Sequence, residues 1–222
     1  MKKLNQIMCI FVIAVLCCGV PAMANSEDSV LFSDDFNSYS NMKEMSGMWN
    51  LKECYSYCTV RGGALHVKNQ DGGAPVIRMP DTVVPETITS GHIRVTLDAL
   101  IENLGGKTQG FMTLVPEGEH DNGRFRVIEF YREKNVTAIC DPYAEENKID
   151  IKPSVWYKIV ADFNIGEKGK ISVSVYDDSD KCIGSYSRDD CDEFVANFKN
   201  INFTSWSDRD FAIDNFKVIK VE

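Results

Sequence analysis

Apolar and polar side chains alternate with a period of two along most of this chain, and runs with helical periodicity are almost absent. In "HIRVTLDALIE", residues 92–102, Ile93, Val95, Leu97 and Ala99 alternate with His92, Arg94, Thr96 and Asp98. In "VWYKIVADFNI", residues 155–165, Tyr157, Ile159, Ala161 and Phe163 alternate with Trp156, Lys158 and Asp162. The turn sequence "GEKG" follows, and "KISVSVYDD" returns with Ile171, Val173 and Val175 on one face, which predicts a hairpin. "RFRVIEFYRE" predicts a strand with charge at both ends. Shorter strands are predicted at "VLFSDDF", "GALHVKN", "APVIRM", "GFMTLV", "NVTAIC", "INFTSW" and the terminal "FAIDNFKVIKVE". Only "DDCDEFVANF" reads as briefly helical, with Asp189 or Asp190 as its cap. Ten or more short strands separated by turn residues predict an all-β fold, an antiparallel two-sheet jelly-roll sandwich.

The first residues read as an address. Lys2 and Lys3 precede an apolar run from Ile7 to Val20, and "PAMA" supplies small residues at Ala22 and Ala24. That three-part pattern predicts a signal peptide over residues 1–24 and a single mature domain over 25–222. The alternative, a lipid anchor at Cys17 or Cys18, is opposed by the absence of a small residue before Cys17. No later segment is apolar enough to span a bilayer, so a secreted or cell-surface, monomeric module is expected.

The formal net charge is -9, and losing Lys2 and Lys3 takes it to -11. Such a surface argues against nucleic acid and anionic membranes as partners and favours cations. Five cysteines follow the leader: Cys54, Cys58, Cys140, Cys182 and Cys191. Export permits disulfides, and the odd count leaves at least one thiol over. Cys182 with Cys191 is the expected local bridge, with buried free thiols as the alternative. Zinc is not indicated, because neither the cysteines nor His66, His92 and His120 have ligand spacing.

The last strand raises the question of a metal. Counted in twos, Ala212, Asp214, Phe216 and Val218 share a face, which would turn Asp214 toward the core. By the same count Phe32, Asp34 and Phe36 share a face near the start, with Asp35 opposite. If the first and last strands are neighbours, Asp34 and Asp214 meet at the rim. Two adjacent carboxylates call for a proton or a cation between them. A structural calcium on Asp34, Asp35 and Asp214 is therefore one expectation, and turn capping by each aspartate is the other.

"LFSDDFNSYS", Trp49, "GGALHV", the residue 156–184 hairpin region and "INFTSWSDRDFAIDNFKVIKVE" together resemble a concanavalin A-like, laminin-G-like jelly-roll domain of bacterial secreted proteins. The resemblance covers nearly all of the mature chain. It implies that fold, and a calcium ion near the N-terminal acidic residue and the last-strand "DN". It also implies a polysaccharide or glycan partner, met by a lectin-like module, a hydrolase or lyase, or an adhesion domain.

For catalysis, the E-x-D-x-x-E or E-x-D-x-E run of laminarinase-type members is absent, and Glu129 with Glu133 are four residues apart on a strand. A lyase would need a tyrosine or histidine base near arginine, which Tyr131 beside Arg126 and Arg132 could supply; strand-edge residues on a solvated face are the alternative. For sugar binding, exposed aromatics beside planar polar groups are needed. Trp206, Trp156, Tyr131 and Arg126 are the candidates, with Tyr143 and the "ECYSYC" loop as further contacts. A non-catalytic carbohydrate-binding module is the favoured reading, ahead of a polysaccharide-degrading enzyme or a structural surface domain.

Overall fold

The computed structural model describes residues 28–51, 56–69, 76–104, 108–115, 126–133, 136–166, 169–189, 191, 197–204 and 209–222. The leader, Cys54, Trp206 and most of the 189–198 segment lie outside these residues. The described strands are β1 (Ser29–Asp34), β2 (Cys58–Arg61), β3 (Ala64–Asn69), β4 (Val76–Arg78), β5 (Gly91–Leu104), β6 (Thr108–Val115) and β7 (Arg126–Glu133). They continue as β8 (Val136–Asp141), β9 (Ala144–Ile151), β10 (Trp156–Ile165), β11 (Lys170–Tyr176), β12 (Cys182–Arg188), β13 (Asn200–Thr204) and β14 (Arg209–Val221). One turn of helix, α1 (Met42–Met45), was not foreseen. Its start is fixed locally: Asn41 Oδ1 accepts from the Lys43 and Glu44 amides, and Glu44 reaches back to the Ser40 amide.

The strands form two antiparallel sheets packed as a sandwich. One has the order β12-β11-β10-β5-β14-β3-β2, with β1 added on β14, and the other β4-β13-β6-β7-β8-β9. The period-two pattern explains the layering. Ile93, Val95, Leu97, Ala99, Ile159, Ala161, Phe163, Ile171, Val173 and Val175 face one core, while their neighbours in sequence face outward. Phe111, Phe130, Phe203 and Phe211 fill the middle, with the Phe111 and Phe130 ring centroids 4.2 Å apart. Among the described residues, no helix is long and apolar enough to cross a membrane.

Three features of the sequence reading are revised. The expected first-to-last strand pairing exists, with Asp34 opposite Phe216. The face of Asp214, however, is reversed. The register with β5 shifts between Asp214 and Lys217, and Asn215 takes a left-handed φ of 49°. This bulge inserts one extra residue, so Asp214 lies opposite Asp98 on the outer face while Phe216 and Val218 still point inward. Asparagine tolerates this backbone better than most residues, which accounts for the "DN" pair. The expected Cys182–Cys191 bridge is not formed. Cys182 is exposed at the start of β12, Cys191 is buried beyond its end, and both thiols are free. The extended strand between them spans roughly 20 Å, far beyond the ~7 Å that a disulfide can bridge. Cys58 and Cys140 are buried as well.

Candidate functional site

The outer face of the six-stranded sheet carries polar groups where burial would favour apolar ones. Ile77, Phe203 and Met112 belong to the inter-sheet core, so their strand neighbours turn outward. Strand register then aligns Arg78, Asn202, Thr113 and Arg126 in one row across β4, β13, β6 and β7. Arg78 Nε donates to Asn202 Oδ1 at 3.2 Å, which orients the amide. Asn202 is only 1% exposed. The hydroxyls of Thr113 and Thr204 on the same face have no hydrogen-bond partner among the described residues. Buried polar groups without partners are costly, so their presence here calls for an explanation.

A second cluster continues this face. Phe130, Ile139 and Ile149 point to the core, so Glu129, Cys140 and Lys148 line up on the outside. Tyr131, Ala138 and Cys140 make a small apolar group separate from the main core. Glu129 is almost wholly buried and is held by the Arg126 guanidinium. The Tyr131 hydroxyl donates to Glu133, and the Lys148 ammonium sits 3.5 Å from the Tyr131 ring centroid. At the end of the face, the exposed ring of Tyr143 lies under Arg188 (4.5 Å) and near Arg126 (5.9 Å). This arrangement sets four cations, Arg78, Arg126, Lys148 and Arg188, beside three carboxylates, Glu129, Glu133 and Asp141, with Arg126 paired to Glu129 and Arg188 to Asp141.

Of the expected sugar-binding residues, Tyr131 and Arg126 come together here. Tyr131 is a buried anchor under an ammonium rather than an open stacking platform. Trp156 lies on the outer face of the other sheet, opposite Leu100 of β5, so it cannot share a site with Tyr131 and Arg126. Trp206 falls outside the described residues. Arg78, Asn202 and Lys148 were not foreseen, and Glu129 was weighed only as a catalytic partner of Glu133. The "NINFT" alternation of Asn200, Asn202 and Thr204 against Ile201 and Phe203 was the available signal. Only strand register shows which residues stand beside them.

The rim holding the expected metal is also redrawn. Asp34 is spent on protein donors: Oδ1 accepts from the Phe36 amide (2.8 Å), and Oδ2 from the Tyr39 hydroxyl and Trp49 Nε1–H (both 2.6 Å). Burial and this hydrogen bond push the Tyr39 phenol well above its ordinary range. Trp49 itself is locked between Phe36, Phe32 and Phe216. Both Asp34 carboxylate oxygens are thus engaged by protein donors. Asp35 caps its turn through the Asn37 amide, which lowers its pKa. Asp214 is different. Burial first, and then the nearby charges of Asp98, Asp35 and Asp34, raise its carboxyl pKa, while the Asn215 amide opposes them. Among the described residues, no group of three or more histidine, cysteine, aspartate or glutamate side chains is arranged to hold a metal.

No family model matches the sequence, and no curated protein matches it. Solved structures do. An alginate lyase variant in complex with an alginate tetrasaccharide superposes with a TM-score of 0.57 at 13% identity, covering 86% of this chain and 97% of that one. The exoplasmic/lumenal domain of VIP36, in a Ca2+/Man2-bound form, gives 0.54 at 6% identity over 86% of this chain and 88% of that one. A legume lectin-like domain from Entamoeba histolytica gives 0.51 at 11% identity over 86% and 98%. At these identities the likeness concerns architecture alone. The chain thus shares the jelly-roll fold of these structures, two antiparallel sheets packed face to face.

Proposed function

We propose that this protein is an exported carbohydrate-recognition module that holds a polysaccharide on the outer face of its six-stranded sheet without cleaving it. The observation that carries the reading is the Arg78–Asn202–Thr113–Arg126 row. The partly exposed guanidiniums of Arg78 and Arg126 offer directed donors to sugar hydroxyls and carboxylates, and the buried Asn202 amide orients Arg78. The exposed Tyr143 ring, fixed by Arg188, supplies an apolar surface for a sugar C–H face. The solved lectin-like and alginate-bound neighbours support a glycan as the partner class. The test is a glycan array with the mature protein, scored for retention and for cleavage. Retention lost in Arg78→Ala and Arg126→Ala supports the reading, and retention unaffected by both retires this face as the site.

A second reading is a uronate lyase on the same face. It is favoured by the Tyr131 hydroxyl, the Lys148 ammonium and the Arg126 guanidinium lying on one surface. A base there would take the proton α to a uronate carboxylate held by the cations, and the glycosidic oxygen would leave with its bonding electrons. The ultraviolet absorbance of an unsaturated product decides this reading. Its appearance, and its loss in Tyr131→Phe, would replace binding by lysis.

The calcium expectation survives only in altered form. Asp98 and Asp214, with charge from Asp35, are the carboxylates whose mutual repulsion an ion would relieve. Under this proposal calcium raises the melting temperature of the native protein and not of Asp214→Asn. An unchanged melt removes calcium.

A further inference from the structure

The outer face of the eight-stranded sheet carries a different set of groups. Across β10, β5, β14 and β3, register aligns Trp156, Leu100, Ala212 and His66 in one row facing away from the core. Trp156 is among the few exposed large apolar side chains, with 37% of its surface in water. It borders a cleft of about 410 Å³ whose polar lining includes Asp98, Lys158 and Asn215. A second cleft of about 390 Å³, bordered by Tyr39 and Met48, shares Asn215 and Lys217 with the first. The two clefts adjoin beside the bulge at Asn215, and the groove that holds Trp156 is the first of them. Its walls carry two side-chain contacts. Asn215 Nδ2 donates to Asp98 at 2.8 Å, and Lys158 is paired with Asp180 at 3.1 Å.

An indole beside oriented amide, carboxylate and ammonium groups matches the two faces of a sugar ring, its C–H face and its hydroxyl edge. The surrounding aspartates set the charge class. Asp98, Asp177, Asp178 and Asp180 outnumber Lys158 and Lys217 in the Trp156 cleft, so a carboxylated sugar is repelled and an uncharged one is not. We propose that this groove is a second glycan site, taking a neutral sugar chain on Trp156, on the opposite side of the sandwich from the cation-rich face. The domain then presents two sites of different charge preference and can bridge two polysaccharides.

The experiment is calorimetric titration of the mature protein with cellohexaose, laminarihexaose and mannohexaose, each an uncharged probe. At least one is expected to bind with a stoichiometry of one, with at least a tenfold loss in Trp156→Ala and an unchanged affinity in Arg126→Ala. Matching melting temperatures of the variants separate loss of contact from loss of fold. Absence of heat with all three probes overturns the proposal, as does binding that Trp156→Ala leaves intact. Binding abolished by Arg126→Ala alone also overturns it, while leaving the six-stranded face as the glycan site. Loss in Trp156→Ala, together with glycan-array retention that Arg78→Ala and Arg126→Ala both leave intact, would uphold this groove and retire the other face.

Discussion

The side-chain amide of Asn215 donates to Asp98 across the β14–β5 pair at 2.8 Å, next to the point where Asp214 and Asp98 stand directly opposite each other. Like charges in that position repel, and the amide offers a neutral partner to one of them. Asn215 can do so because its backbone is left-handed. Asn215→Val combines a β-branched residue at positive φ with loss of the hydrogen bond, and should cost roughly 2 kcal/mol. Asn215→Gly keeps the backbone and loses only the bond, so it should cost about 1 kcal/mol or less. Denaturant melts of the two variants measure the difference, and equal losses would contradict the bulge as its source.

Asp34 is expected to matter more for stability than for metal binding. Asp34→Ala strands the Trp49 N–H and the Tyr39 hydroxyl in a packed aromatic cluster. The cost should be about 3 kcal/mol, which lowers the melting temperature by roughly 6–12 °C in a chain of this size. The loss should be the same with and without a chelator. A loss seen only in calcium would restore Asp34 as a ligand.

His66 gives a pH dependence with a definite sign. Burial first, and then the Arg61 guanidinium 3.2 Å from Nδ1, lower its pKa below the ordinary histidine value, while Glu102 opposes this. The folded state thus holds this proton more weakly than the unfolded one. Its contribution to stability is present above the ordinary histidine value and is lost as pH falls through that value toward the lower folded pKa. Melting temperature should decline over that interval, and His66→Gln should flatten the decline. A slope unchanged in His66→Gln would assign it to another group.

The two guanidiniums of the cation row stand three strand spacings apart, roughly 14 Å. They should meet different groups of a bound chain. Arg78→Ala and Arg126→Ala should each weaken binding by roughly 2 kcal/mol, about thirtyfold. The double variant should show the sum to within about 0.5 kcal/mol. Affinity for an anionic polysaccharide should also fall as salt rises. Strong non-additivity would mean that the row acts as one network rather than as two contacts.

The sequence by itself determined the sheets. A period of two is a local property, and in β10 or β11 each residue's side follows from its neighbours once a core exists on one face. Only the tertiary structure decided the sites. The parity count failed at Asp214 because a single bulged residue reverses every later position, and nothing in "FAIDNF" marks the insertion except an asparagine that tolerates positive φ. Asp98 reads as one more outward residue of β5 until β14 is laid beside it. Arg78, Asn202, Thr113 and Arg126 lie far apart in the chain, and their row exists only through the register of four strands. Trp156 and Tyr131 look equivalent as exposed-aromatic candidates, yet they belong to opposite outer faces. Alternation sets whether a side chain points inward or outward, while strand order and register set its company, and these arise from contacts between segments that no local pattern encodes.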